Sequence, residues 1–434
     1  MLLMAFGSRL SVHDLSQKVV SKLLRISNFY HYFCILIILA LVCMKKLYYI
    51  SLVFLSLLFA FPASAQCRQK INLSDSAYAS ILTCGPGNQF YENYGHTALR
   101  ICDNANNIDY VFNYGTFDFD VEGFYFKFAR GSLNYCLAIE SFNNFMFEYE
   151  YYGRAVFEQR LNLSKEQCAT LFSLLLENAR PENKNYKYDF FRDNCATRVD
   201  DMVGKVVNGN ANFSRDAYVA NDNGKELVSY RDLLYKYNPS MPWWKFGTDL
   251  LLGARCDRPI TIAQHRYIPV ELMQQYDTIM LSDGSPLAAN PVQLLDDSRS
   301  PLPKTISPTL VMWLLFFAIA ALSLYADRRG WSLLWFDAIF FSLLSFISLF
   351  LLFMWFGSDH WCTKWNLNII WANPLILWPL FRLRKPRTAD CLPLIAILLI
   401  LILGWPFWPQ QFNSAVLPIV LIIITRLSVR LSKV

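Results

Sequence analysis

Cys195 lies in YDFFRDNCATRVDDMV, at the predicted start of a helix, and His96 lies in YGHTALRIC, on a predicted strand. A thiol and an imidazole can form the nucleophile and general base of covalent catalysis. A helix N-terminus carries partial positive charge and unpaired N–H groups, so a thiolate placed there is stabilised and its pKa falls. Asp193 is the expected N-cap, which puts Cys195 in the first turn of an exposed Asp-Asn-Cys turn. The backbone N–H of Cys195 and of a neighbour in that turn would form the oxyanion hole. This pattern predicts a thiol enzyme.

Histidine is scarce, with five in the chain, and His13 and His31 fall in an N-terminal leader. His96, His265 and His360 remain as possible bases. A lone histidine on a strand usually just packs against a neighbouring carbonyl, but His96 follows Gly95 and has the strongest context. His265, in AQHRYIP, is expected on a polar surface. His360, in SDHWCTKWN, falls in an outside loop at the membrane face, where it could bind a lipid phosphate, contact substrate or anchor with Trp361 and Trp365. A base is normally oriented by a third polar group. If the hairpin after His96 turns near residues 104–105, Asn113 comes close to His96 on the same sheet face. Asn113 is the first choice, with Asp109 and Asp118 as alternatives and a plain turn-shaping role as the competing reading. Arg198, one helical turn beyond Cys195, is expected either to stabilise the thiolate or bind a phosphate or carboxylate, or to be an ordinary surface arginine.

The elements that must position these groups read as a mixed α+β module. Strand character covers 78–84, 94–102, 109–114, 133–141 and 155–161, with Gly85-Pro86-Gly87 as a turn and 103–107 as a hairpin loop. Ser164 with Gln167 has capping-box spacing and opens a helix running to Ala179, ended by Pro181. Segments 231–237 and 243–253 look helical, and 281–307 reads as a loop-rich linker.

At 434 residues and 54% hydrophobic, with mean hydropathy +0.24, the chain is too apolar for a soluble protein. Apolar runs at 309–326, 332–356, 368–381, 391–408 and 414–429 predict an all-α bundle of about five membrane helices, the third short, with Asn373-Pro374 marking a kink or an interfacial start. Basic clusters at 327–329, 382–387 and 426–433 alternate with base-poor loops, so five helices put every cluster inside and the α+β module outside. The +6 net charge thus reflects membrane topology, and no basic stripe interleaved with aromatics suggests nucleic acid. Met44-Lys45-Lys46, an apolar stretch to Phe61 and Ala63-Ser64-Ala65 form a signal peptide cleaved before Gln66. The expected organisation is therefore a non-native leader at 1–43 (the rival being a further membrane helix), a signal peptide at 44–65, a periplasmic domain with linker at 66–305 and a membrane domain at 306–434. Seven cysteines fall in 66–305, so at most three disulfides form among them and Cys195 is the expected free thiol. Several could instead be free and buried, and Cys362 could pair with one of them. No Cys/His cluster has metal-ligand spacing, so neither metal nor cofactor is expected.

The strings LTCGPGNQFYENYGHTALRI, DYVFNYGTFDF, YDFFRDNCATRV and GTDLLLGARCDRPI resemble the periplasmic domain of the Lnb-type family, and HWCTKWNLNIIWANPL resembles its membrane part. The resemblance covers most of residues 75–385. It implies lipoprotein N-acyltransferase activity, the transfer of a fatty acyl chain to the α-amine of a lipoprotein's N-terminal cysteine. Because donor and acceptor are both held in a bilayer, the expected donor is a membrane phospholipid of the bacterial inner membrane, with the lipoprotein's own chains as the alternative. Histidine before cysteine is also the order in permuted papain-like (NlpC/P60-like) folds, which implies His96 as base and Cys195 as nucleophile and leaves the third residue open. The alternatives are a membrane-tethered cysteine peptidase or amidase of the cell wall, and a non-catalytic envelope module.

Overall fold

A computed structural model describes residues 72–89, 92–207, 209, 217–219, 227–237, 241–301, 303–385 and 387–432. The leader and signal peptide expected at 1–65, and Cys67, lie outside the described residues. The part before the apolar segments is built on a seven-stranded antiparallel sheet, order β6-β4-β3-β2-β1-β5-β7. Its strands are β1 (Tyr78–Cys84), β2 (His96–Asp103), β3 (Ile108–Thr116), β4 (Asn134–Ser141), β5 (Val156–Arg160), β6 (Asn185–Lys187) and β7 (Val292–Leu295). The β7 strand falls within the stretch expected to be linker and adds an edge to the sheet beside β5. Its four residues are too short for a periodic signal.

Two helices interrupt the strands, α1 (Phe124–Arg130) and α2 (Phe142–Tyr151). They are followed by α3 (Lys165–Asn178), α4 (Cys195–Val207), α5 (Tyr230–Tyr237), α6 (Pro242–Leu251), α7 (Ile262–His265) and α8 (Pro269–Tyr276). The capping box of α3 forms as expected, with Ser164 accepting from the Gln167 N–H and Gln167 returning to the Ser164 backbone. Alternation along the strands divides the sheet into two faces. Ile81, Leu99, Ile101, Phe112 and Leu137 face α3, α4 and α8. Leu82, Ala98, Val111 and Val156 face α2 through Phe145 and Tyr149. On α4 the buried residues Ala196, Val199, Met202, Val203 and Val207 recur at helical spacing, and each larger side chain contributes about 1.5–3 kcal/mol by burial. The nucleophile candidate therefore rides on a helix clamped to the sheet.

The C-terminal part holds α9 (Pro308–Arg328) and α10 (Leu334–Leu352), the latter continued by a wide turn to Gly357. Both spans are long and apolar enough to cross a membrane, with mean hydropathy 2.1 and 2.4. The chain continues through short 3-10 turns to α11 (Leu377–Phe381), then α12 (Thr388–Leu403) and α13 (Val416–Leu431). The third apolar run is thus not one helix but a series of turns, broken where Asn366, Asn368 and Asn373 bind neighbouring backbone. Arg426 and Arg430, counted from sequence as an inside cluster, are buried against Asp337 of α10 at 2.7 and 3.4 Å. Arg426 also donates to Ser323 of α9. These charges pin the helices to one another.

The two parts interlock. Phe246, Leu250 and Leu251 of α6 pack into the membrane-side core. Gly253 donates to the Cys362 carbonyl at 2.8 Å, and Ala254 to that of Trp365 at 3.0 Å. A Cβ at Gly253 would sit 2.0 Å from the Lys364 carbonyl oxygen, so only glycine permits this approach. At the seam, Asp249 accepts from the fully buried Arg231, from Tyr235 and from Asn413. Without Asp249, Arg231 keeps its paired bonds to Asp257, but Tyr235 and Asn413 lose their acceptor, at a cost of about 1–3 kcal/mol. Asp249→Ala is therefore expected to lower the apparent Tm in detergent by about 2–10 °C, and an unchanged melt would refute this seam.

Candidate active site

Gly95 opens the site with φ +79°, and a Cβ there would lie 2.5 Å from the Cys84 carbonyl oxygen. That tight turn delivers His96 to the first position of β2, on the face shared with Ala98 and Arg100. Continuing the β2–β3 register from Leu99↔Phe112 places Gly115 opposite His96 and Asn113 one diagonal step away on the same face. The hairpin turns at 104–107, slightly later than expected, yet the diagonal contact still forms. His96 Nε2 and Asn113 Oδ1 are 2.5 Å apart. Asn113 Nδ2 donates to Glu140 Oε1 at 3.2 Å, which fixes the direction of the amide. With its oxygen accepting, Nε2 carries the proton and Nδ1 keeps its lone pair. Asp109 and Asp118 take no part: Asp109 pairs with Arg100, and Asp118 accepts from the Asp120 N–H.

Cys195 reaches this face from the opposite side of the sheet. The β3 strand ends in a bulge between Tyr114 and Thr116, with Gly115 at φ +91°. A Cβ at 115 would lie 3.7 Å from the Cys195 Cβ and 3.6 Å from the Tyr188 ring. Those are ordinary contact distances, so it is the positive φ of the bulge, not crowding by the cysteine, that calls for glycine here. The helix is capped by Asn194 rather than Asp193: Asn194 Oδ1 accepts from the Thr197 N–H at 2.9 Å. Its Nδ2 donates to the carbonyls of Phe190 and Tyr267, both at 2.8 Å, so this turn is anchored on two sides. Asp193 instead forms an ion pair with Arg198, whose guanidinium stacks 3.8 Å over Tyr186. Arg198 is thereby committed elsewhere and does not line the cavity around the thiol.

Cys195 is buried, not exposed. Burial pushes its pKa up, opposed by the backbone N–H groups of Thr97, Ala196 and Cys195 and by the charge of Arg154. The low-pKa thiol expected at a helix start is thus overridden by desolvation. His96 is held down at about 4, first by burial and then by Arg154, against the Asn113 hydrogen bond. At neutral pH both groups therefore rest uncharged, with His96 Nδ1 unprotonated. Arg154 is buried, donates twice to the Gly85 carbonyl, pairs with Glu92 at 3.0 Å and lies 4.7 Å over the Tyr149 ring. Neither Arg154 nor Glu140 was singled out from sequence. Glu140 carried a signal, as a carboxylate one strand over on the face Asn113 was expected to use; Arg154, just before a strand, carried none.

His96, Asn113, Glu140, Arg154 and Cys195 line one cavity of about 600 Å³, together with His360 and Cys362 of the membrane-side loop. His360 is held there by a 2.8 Å bond from its Nε2 to the Phe128 carbonyl. His265 is not on the surface: it is buried, with Nδ1 3.7 Å from Glu271. All eight described cysteines are free thiols, so the disulfides allowed by counting do not form among them. Cys256 and Cys362 lie in one apolar cluster as reduced neighbours.

The Lnb N-terminal periplasmic domain matches residues 63–234, and the Lnb transmembrane domain matches residues 300–433. No curated protein and no solved structure matches the chain. The two matches occur in the order and at the positions of the antiparallel sheet domain and the apolar helices. The chain is a membrane protein with a periplasmic region, and it belongs to the Lnb family.

Proposed function

We propose that the chain is a lipoprotein N-acyltransferase with Cys195 as nucleophile, His96 as base and Asn113 as the group orienting it. The observation that carries this reading is a single cavity lined by the Cys195 thiol, the His96 imidazole, a wall of aromatic rings and His360 and Cys362 of the membrane-side loop. A water-soluble substrate needs no such placement, whereas an acyl donor and a diacylated acceptor are both held in a bilayer. The strand-borne histidine preceding a helix-borne cysteine supports a permuted papain-like (NlpC/P60-like) assignment of the soluble domain. The basic ends of the apolar segments support five crossings of the inner membrane, with the sheet domain in the periplasm.

In the first half-reaction the Cys195 sulfur attacks the carbonyl carbon of a phospholipid ester while its proton passes to His96 Nδ1. The tetrahedral oxyanion is met by N–H groups at the helix start and by the nearby charge of Arg154. The C–O bond breaks, the lysolipid oxygen takes the proton from His96, and a thioester remains. In the second half-reaction the lipoprotein α-amine attacks the thioester, its proton goes to His96, and the C–S bond breaks. The thiolate is then reprotonated by His96.

The reading is tested by incubating purified protein in nanodiscs with radiolabelled phosphatidylethanolamine and no acceptor. Label attached to Cys195 and released by neutral hydroxylamine is the expected result. An unlabelled wild-type protein that instead cleaves peptidoglycan fragments would favour the cell-wall hydrolase.

A further inference from the structure

The helix α1, FYFKFAR, buries none of its residues, and Tyr125 and Phe126 are 85% and 61% exposed. A cluster of exposed rings of this size on a soluble surface marks an interaction site. Its neighbours identify the partner. The Phe126 ring lies 6.3 Å from that of Phe353, the residue that follows α10 in the second membrane span. The C-terminal carbonyls of α1 are held by the membrane-side loop, with the Asp359 N–H on Arg130 at 2.7 Å and His360 on Phe128. Gly131, with φ +75°, permits the same approach, since a Cβ there would lie 3.2 Å from the His360 nitrogen. Lys127 and Arg130 flank the rings in the last turn. Aromatic rings beside cations at the end of a membrane span are the composition of a lipid headgroup interface.

From α1 the rings lead inward. Phe124 meets Phe119 at 5.1 Å, Phe119 meets Phe117 at 4.7 Å, and Phe117 meets Tyr135 at 5.1 Å. Tyr135 stacks on Tyr188 at 4.5 Å, and Tyr188 borders Gly115 and the thiol. All of these rings line the cavity that contains Cys195. Phe126 does not line it and points the exposed face of the helix outward.

We propose that α1 lies in the outer leaflet and that the aromatic track from it to Cys195 holds one acyl chain of a bilayer glycerolipid, delivering its ester carbonyl to the sulfur. This inference rests on the acyltransferase reading, and two measurements separate them. The first needs no chemistry. Full-length Cys195→Ala protein carrying a benzophenone amino acid at position 126 is irradiated in phosphatidylethanolamine nanodiscs. Adducts on lipid acyl chains are expected, and their absence would overturn the interfacial placement of α1. The second compares Phe126→Glu with wild type, using Cys195 acylation from long-chain lipid in nanodiscs and from water-soluble p-nitrophenyl butyrate. A carboxylate in the interface is expected to slow acylation from bilayer lipid about tenfold or more, while the soluble ester reacts within about twofold of wild type. Equal loss with both esters would make α1 merely structural, and no loss with either would remove it as the entry. Lipid crosslinking at 126 without acylation of wild-type Cys195 by either ester would retain the interface and defeat the acyltransferase reading.

Discussion

Cys195→Ala is expected to reduce lipoprotein N-acylation by about 10⁴-fold or more, to background, while leaving protein abundance near wild type. The loss is large because no other group in the cavity can form the acyl intermediate. Cys362 lines the same space but packs into the apolar cluster around Phe191 and Tyr230. Cys84, paired across the ladder from His96, is buried and its pKa is pushed up to about 12. The fold should tolerate the change, since alanine keeps the Cβ that packs beside Gly115 and removes one sulfur. The Asn194 cap, which holds the helix start, is untouched. Acyl incorporation into membrane lipoproteins, normalised to immunoblotted protein, checks both halves of this expectation. Residual activity within tenfold of wild type would place the nucleophile elsewhere.

His96→Gln should cost about 10²–10⁴-fold, the range for loss of a positioned general base. The sharper signature is its pH profile. Only neutral His96 can take the thiol proton, and burial together with Arg154 holds its pKa down at about 4. Activity is therefore full at neutral pH and is lost only as pH falls through about 4. An ordinary exposed histidine would impose that loss about two units higher. Cys195 is shifted upward, so the enzyme rests as a thiol rather than a thiolate, and slow alkylation of Cys195 at neutral pH should accompany the acid-tolerant profile. Measured kcat/KM between pH 3.5 and 8 decides the matter. An acid limb centred near 6.5, or one retained in His96→Gln, would contradict the assigned base.

The chemistry-bearing residues were more legible than their electrostatics. His96 and Asn113 could be matched because strand alternation and an approximate hairpin turn suffice to put two residues on one face. A shift of the turn changed their relation from opposite to diagonal without parting them. The cap failed at one residue, since Asp193 and Asn194 are both good caps by type and their partners separate them: Asp193 pairs with Arg198, while the Asn194 amide also binds the Phe190 and Tyr267 carbonyls. The thiol pKa was misjudged because a helix N-terminus is a local feature, whereas the burial that raises it comes from tertiary packing. Helices α1 and α2 escaped notice because their aromatic-rich, short sequences lack a clear apolar stripe; α1 buries nothing at all. The third membrane segment looked like a helix by hydropathy alone, but its asparagines bind the α6 backbone across the seam. Long apolar runs and strand alternation survive translation into structure, whereas contacts between distant segments do not announce themselves.

The central claim is most directly tested by the intact mass of an envelope lipoprotein purified from cells expressing wild-type protein or Cys195→Ser. Triacylated lipoprotein from wild type, and a product lighter by one fatty acyl group from the mutant, is the predicted result. Identical masses from the two strains, with the mutant protein folded and abundant, would contradict it.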